Sequence, residues 1–370
     1  MEENKIVTYS KNNSKNNFGL FVLAMFIGAI FMFAILYFVF PKGDINTIIN
    51  KSEKEVTVTD AGIADAVEKL YDAVVVVEVY KNKTLASTGT GFVYKTDNKK
   101  AYILTNEHVI NGGETVKVIL TNNSTVETKV EGNDKYSDLA VLSMDKDKIV
   151  SVAELGKSTD MRLGDTVFTV GAPLDTEYYW TVTRGILSGK DRMVEVSGDY
   201  IMKVLQTDAS INSGNSGGPL ANSNGEVVGI TNMKLVSSGV EGIGFAIPIE
   251  DAINFADAII SGKDVRKPLL GITMIDLSDR FYLYQQGITL NTELTQGVVV
   301  IEVQKDSPAE KASLKRGDIV ISVDGNPIKN VATLRYYLYK HSIGDSVNIE
   351  YERSGKKEKA TMVLNKAYEG

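Results

Sequence analysis

The chain of 370 residues has no cysteine, only two histidines and a single tryptophan. Without cysteine there can be no disulfide, no thiolate metal site and no thiol nucleophile. This does not place the chain in a reducing compartment, because an exported protein can fold without disulfides. The two histidines, His108 and His341, lie far apart, so no zinc-ligand spacing exists and no metal is expected. No dense stripe of Lys and Arg is present and the net charge is −7, which argues against a nucleic-acid partner. Gly156-Lys157-Ser158 resembles the end of a phosphate loop, but Ser151 stands where the leading glycine is required. No cofactor is therefore expected. The apolar fraction of 43% and charged fraction of 24% are ordinary for a globular chain, and the length accommodates two or three domains.

Charge is also missing from Phe18–Phe40, a run of 23 residues. At ~1.5 Å per residue such a helix extends ~35 Å, enough for a ~30 Å hydrocarbon core with some tilt. A cleaved signal peptide has a shorter apolar region, ~7–15 residues, followed by a small-x-small site. Here the run ends Tyr37-Phe38-Val39-Phe40-Pro41, so an uncleaved transmembrane helix over 18–40 is expected. Residues 1–17 read as a short cytoplasmic tail and 41–60 as a polar linker. Lys5, Lys11 and Lys15 before the span nearly balance Lys42, Lys51 and Lys54 after it. Orientation rests instead on the single early span followed by a long soluble region. That arrangement places the large C-terminal part outside the cytoplasm at the cell membrane.

Residues 61–262 are dominated by short β-like runs, including Val74–Tyr80, Tyr102–Leu104, Leu139–Met144, Thr166–Val170 and Glu226–Ile230. Turn signals such as Asn111-Gly112-Gly113 and Asn224-Gly225 separate them, which predicts an all-β barrel or sandwich. A short helix over Asp251–Ile260 closes the block. Residues 263–370 read as a small α+β module with strands near Gly297–Val303, Asp318–Val323, Ser346–Glu350 and Ala360–Leu364. Its helices are predicted near Pro308–Leu314 and over Val331–Lys340, where Val331, Leu334 and Leu338 recur at helical spacing.

Three elements of the first block carry chemistry. Gly214-Asn215-Ser216-Gly217-Gly218 can present a hydroxyl on a tight turn with backbone N–H groups beside it, as an activated serine requires. Alone, it is equally a Gly/Ser/Asn turn. His108 follows the apolar run Tyr102–Leu104, where a general base would be held firmly yet face a cleft. Asp138 immediately precedes the apolar run Leu139–Leu142, and there its carboxylate could orient an imidazole. Asp134 is the weaker candidate for that role. The order His, Asp, Ser excludes an α/β-hydrolase, which needs Ser, Asp, His and a helix after the serine.

Together, Thr105-Asn106-x-His108-Val109, Ser137-Asp138-Leu139-Ala140-Val141 and the stretch from Gln206-Thr207-Asp208-Ala209 to Gly214-Asn215-Ser216-Gly217-Gly218-Pro219-Leu220 resemble the HtrA family of trypsin-like serine proteases. The resemblance extends from about residue 61 to the C-terminus. It implies a mainly β protein, a chymotrypsin-like double β-barrel with the active site between the barrels. His108 would be the base, Asp138 its orienter and Ser216 the nucleophile. The N–H groups of Gly214 and Ser216, joined by Asn215, would form the oxyanion hole. Ile211 and the strand carrying Ile243, Gly244 and Phe245 would line the primary specificity pocket. No acidic residue falls there, so small or medium aliphatic residues are expected before the cut bond. Ser213, Arg184 and the stretch Leu174–Trp180 depart from the family pattern, which leaves open whether the resting loops are ordered. The segment around Lys81–Ser87 is too short for a long inhibitory insertion.

Pro268-Leu269-Leu270-Gly271-Ile272, Ser307-Pro308-Ala309 and Leu314-Lys315-Arg316-Gly317-Asp318 resemble a PDZ domain. There an extended peptide adds as a strand and its terminal carboxylate meets backbone N–H groups. Leu269, Leu270, Gly271 and Ile272 would form that loop. The resemblance implies quality control of unfolded or misfolded extracytoplasmic proteins, peptide C-termini as partners, and a homotrimer or larger assembly. The alternative is a membrane-tethered chaperone or peptide-binding protein that holds chains without cutting them.

Overall fold

A computed structural model describes residues 23, 25–32, 60–172, 179–196, 200–232 and 242–368. The chain separates into two units, Met1–Val58 and Thr59–Gly370. In the first, residues 25–32 are helical with Met25, Phe26, Ile30 and Phe31 exposed. The rest of the expected span Phe18–Phe40, apart from residue 23, lies outside the described residues, as do residues 1–17 and 41–59. Among the described residues no helix is long and apolar enough to cross a membrane.

The second unit opens with helix α1 (Asp60–Tyr71), which the strand-rich pattern does not anticipate. Ile63, Ala66 and Leu70 recur at helical spacing and are buried, so one stripe of the helix faces the core. Six strands follow: β1 (Val74–Lys81), β2 (Thr84–Thr96), β3 (Lys100–Thr105), β4 (Thr115–Ile119), β5 (Thr125–Asp134) and β6 (Leu139–Asp145). They close a barrel in the order β1-β2-β3-β6-β5-β4, with the one-turn helix α2 (Glu107–Ile110) after β3. The valine run of β1 is buried on both faces. Val75, Val77 and Val79 pack with Ile103, Val118 and Leu142, whereas Val74 joins Phe92, Leu104 and Val141 in a second cluster. That second cluster also takes Phe168, Val170 and Ile230 from the next barrel, so it welds the two together. Each fully buried aliphatic side chain contributes roughly 1.5–3 kcal/mol. Between β1 and β2 only Asn82 and Lys83 intervene, both at positive φ, which is the tight hairpin expected where an insertion is missing.

The second barrel comprises β7 (Thr166–Gly171), β8 (Thr181–Val196), β9 (Tyr200–Thr207), β10 (Pro219–Asn222), β11 (Val227–Thr231) and β12 (Gly244–Pro248). It closes as β10-β11-β12-β9-β8-β7 around Val167, Leu187, Leu205, Leu220, Val228 and Ala246. Strands β5 and β8 are absent from the sequence-based reading. Along β8 the register shifts between Leu187 and Gly189 and again between Gly189 and Arg192, so no single alternation runs its length. Helix α3 (Ile249–Ile260) then packs Ala252 and Ala256 into the shared core, close to the predicted helix.

The C-terminal module carries β13 (Ile272–Asp276), α4 (Arg280–Gln285), β14 (Val298–Val303), α5 (Pro308–Lys311), β15 (Ile319–Val323), β16 (Asn326–Pro327), α6 (Val331–Leu338), β17 (Ser346–Arg353) and β18 (Lys356–Val363). The sheet order is β13-β14-β15-β17-β18, with β16 on β15, around a core of its own that includes Leu270, Val300, Leu334 and Ile349. Asn330 caps α6 by accepting the Thr333 N–H at 2.8 Å. Strand β13 pairs with β14 on one side, and its other side is the end of the sheet. Ile272, expected in a loop, is the first residue of that strand.

Candidate active site

The three chemistry-bearing segments converge where the barrels meet. Asp138 sits in the turn between β5 and β6, and the turn is closed by Asp134. The Asp134 carboxylate accepts the Ser137 N–H at 3.0 Å and the Ser137 hydroxyl at 2.7 Å. Asp138 follows with φ of 52°, a left-handed conformation uncommon for non-glycine residues though better tolerated by Asp than by most. Its carboxylate is fully buried, and burying an anion is costly unless hydrogen bonds replace water. They do. Oδ1 accepts the His108 backbone N–H at 3.0 Å, and Oδ2 lies 2.7 Å from both His108 Nδ1 and the donating Asn232 amide. The Asn106 amide fixes the Asp138 carbonyl at 2.9 Å.

His108 belongs to α2, immediately beyond β3, so the strand end sets its position. Its side chain is 28% exposed, so the ring is not sealed from solvent. With Nδ1–H given to Asp138, a neutral ring carries its lone pair on Nε2, the form that accepts a proton.

Ser216 lies between β9 and β10 and is nearly buried, at 5% exposure. Thr90 of β2 is the residue that carries the serine loop onto the first barrel. Its N–H donates to the Ser216 carbonyl at 2.9 Å, and its hydroxyl donates to the Gly214 carbonyl at 2.5 Å. The same hydroxyl accepts the Ala172 N–H, and the Thr90 carbonyl accepts the Thr105 hydroxyl just ahead of α2. The loop fits tightly. A Cβ on Gly217, at φ +83°, would fall 2.3 Å from Thr105 Oγ1 and 2.9 Å from the Asn106 nitrogen. A Cβ on Gly89 would strike Val109 and approach the Ser216 carbonyl at 3.2 Å. Ser216 is thereby held against the segment that carries His108.

Gly214 has φ of 101°, and its N–H has no acceptor among the described residues, as an oxyanion donor requires. Asn215 is a correction to the expected hole. Its N–H is spent on the Asn212 carbonyl at 3.0 Å and its side-chain amide on the Ser210 carbonyl, so it braces the turn instead.

Among the expected pocket residues, Ile211 and Gly244 meet: a Cβ on Gly244 would lie 2.6 Å from Ile211 Cγ1. Ile243 is exposed beside them. Phe245 is a second correction. Strand alternation turns it to the opposite face of β12, where it packs on the core shared by the barrels. Part of the stretch Leu174–Trp180 lies outside the described residues, because 173–178 are not described.

In the C-terminal module, the Leu270 carbonyl accepts the Ala309 N–H at 3.0 Å and the Gly271 carbonyl accepts the Gln304 N–H at 2.9 Å. The Leu270 and Gly271 N–H groups have no acceptor among the described residues, at the head of the open edge of β13. Leu269 donates to the Lys366 carbonyl, so its N–H is already engaged. Gly271 has φ of +76° and would place a Cβ 2.2 Å from that of Ser307, so the turn admits no side chain.

Sequence reasoning misses Thr90 and Asn232. Thr90 has a faint signal, lying between Gly89 and Gly91 in a run of small residues; Asn232 has none, since its partner is a tertiary one.

Residues 89–230 match the trypsin-like peptidase domain family and residues 268–364 the PDZ domain family. The chain is 44% identical over 279 residues to the serine protease Do-like HtrA of Bacillus subtilis, covering 74% of this chain and 62% of that one. It is 39% identical over 329 residues to the Do-like HtrB of the same organism, covering 84% and 72%. It therefore spans somewhat less than two thirds of the first relative's length. Among solved structures it resembles the serine endoprotease from Yersinia pestis, with TM-score 0.62, 30% identity, and coverage of 81% of this chain and 96% of that one. It also resembles the HtrA-type protease AlgW with a decapeptide, with TM-score 0.65, 27% identity, and coverage of 81% and 97%.

Proposed function

We propose, from the premise that the chain belongs to the HtrA family of trypsin-like serine proteases, that it is a serine endopeptidase of protein quality control. The observation that carries this reading is that the Ser216 loop is held against the segment carrying His108, whose Nδ1 lies 2.7 Å from the buried Asp138 carboxylate. Ser216 Oγ attacks the scissile carbonyl carbon while His108 Nε2 takes its proton, and Asp138 stabilises the imidazolium that forms. The oxyanion of the tetrahedral intermediate is met by the Gly214 and Ser216 N–H groups. His108 then returns the proton to the leaving amine, and water hydrolyses the acyl-enzyme by the same route.

The PDZ module binds peptide C-termini. Support comes from the open edge of β13 and from the Leu270 and Gly271 N–H groups at its head, the arrangement that strand addition requires. The relative AlgW was solved with a decapeptide, which agrees with that use. Substrates are unfolded or misfolded extracytoplasmic proteins. The uncharged run Phe18–Phe40 supports a single-pass anchor in the cell membrane, with the protease and PDZ domains outside the cytoplasm. The assembly is a homotrimer or larger, a reading that rests on family membership alone.

The mechanism is tested by treating the full chain with a fluorophosphonate probe and locating the adduct by mass spectrometry. Modification confined to Ser216 is expected. Labelling elsewhere, or none, contradicts the mechanism.

A further inference from the structure

The turn that presents Asp138 is not held by the protease barrels alone. Asp134, whose side chain is 9% exposed, forms an ion pair at 2.9 Å with Lys267, whose side chain is 18% exposed and which belongs to the segment leading into the C-terminal module. Lys267 is itself fixed. Its carbonyl accepts the Tyr368 N–H at 2.7 Å, and the adjoining Pro268 bridges to Ala367. One residue before Ser137, the Tyr136 ring lies 4.7 Å from Tyr339, which follows α6, and 6.3 Å from Tyr368. Tyr200 of β9 closes the cluster at 5.4 Å. Beside it, a cavity of about 290 Å³ is lined by Tyr136, Ser137, Lys267 and Tyr339, so this face of the turn has room to shift if its clamp is lost.

We propose that Lys267 and Asp134 are positioning residues for Asp138, so that the C-terminal module completes the triad turn. The argument rests on the proposed serine-protease mechanism. Asp134 Oδ2 receives the Ser137 N–H, the Ser137 hydroxyl and the Lys267 ammonium together. Take away the ammonium and a nearly buried carboxylate is left with an uncompensated charge, which the turn relieves by rotating Asp134 towards water. Ser137 then loses its two bonds, and Asp138 loses the constraint that keeps it at φ of 52°. A displacement of about 1 Å in a group that orients the base can cost about a hundredfold in rate, so a partial shift predicts a loss near tenfold.

The test uses the full chain with a short chromogenic peptide whose C-terminus is amidated, so that the β13 groove contributes nothing. For wild type, Lys267→Met, Lys267→Arg and Asp134→Asn, kcat and KM are measured separately, well below the Tm of each. The rate of Ser216 labelling by a fluorophosphonate is followed alongside. Lys267→Met is expected to lower kcat and the labelling rate by about tenfold with KM within about twofold, and Lys267→Arg to restore most of the loss. Should Lys267→Met fail to fold, Asp134→Asn carries the same expectation by the converse route, since it leaves the largely buried Lys267 ammonium unpaired and replaces the charged acceptor that holds Ser137 with a weaker neutral one. A folded Lys267→Met or Asp134→Asn variant with wild-type kcat overturns the inference, as does an arginine variant no better than methionine. A wild-type chain that neither cleaves nor labels overturns the underlying protease reading, and this inference with it.

Discussion

Asn232 donates its side-chain amide to the same Asp138 oxygen that faces His108 Nδ1, each at 2.7 Å. One carboxylate oxygen thus serves a residue of each barrel, and the pairing of His108 with Asp138 depends on the barrels being docked. A hydrogen bond to a charged group contributes about 1.5–3 kcal/mol. Asn232→Ala is therefore expected to lower kcat/KM for a peptide substrate about tenfold or more and to lower Tm. Steady-state kinetics with a thermal melt check both, and an unchanged kcat/KM would refute the role of Asn232.

Asp138→Asn keeps the shape of the residue but replaces an acceptor oxygen with a donor. The imidazole is then driven towards the tautomer with its proton on Nε2, where it cannot accept one from Ser216. A fall in kcat of about 10⁴ with KM little changed is expected. A loss below about tenfold would mean that Asp138 does not orient His108.

Gly217→Ala tests the fit of the serine loop. The added methyl would meet Thr105 Oγ1 and the Thr90 carbonyl, each at 2.3 Å, in a backbone conformation already strained for alanine. Overpacking and backbone strain each cost about 1–3 kcal/mol. The variant should unfold at a lower denaturant midpoint and label poorly with fluorophosphonate. A midpoint equal to wild type would show that the loop does not sit as described.

Glu131 predicts a pH dependence of stability. Burial works to raise its pKa, but bonds from Lys100, Ser143 and Lys129 outweigh that and hold it down at about 2, against an ordinary 4.5. A carboxyl depressed by folding stabilises the native state above its unfolded pKa, and that contribution is lost as pH falls from about 4.5 towards 2. Glu131→Gln should therefore melt below wild type at pH 7, and the gap should narrow across that window. Parallel melting curves from pH 7 to 2 would contradict the assignment.

His108, Asp138 and Ser216 are legible in the sequence because each stands at the edge of a strongly patterned strand or in a glycine-rich turn, and such local signals survive without tertiary information. Thr90 and Asn232 act only through partners remote in sequence, so their own neighbourhoods look unremarkable. Asp134 reads only as a weaker candidate for orienting the imidazole for the same reason: the lysine that pairs with it enters from the other module. Phe245 is misassigned because a motif match assigns a strand to a pocket without saying which face turns inward. Strand β8 is missed because its register shifts interrupt the alternation that would betray it. Helix α1 carries its apolar stripe openly, and only the dominance of β patterns around it hides the helix.

The proposed endopeptidase activity is tested most directly by comparing the full chain with its Ser216→Ala variant in degrading an unfolded protein such as casein. The wild type should fragment casein, and the folded variant should leave it intact over the same period. Equal cleavage by the two would contradict Ser216 as the nucleophile.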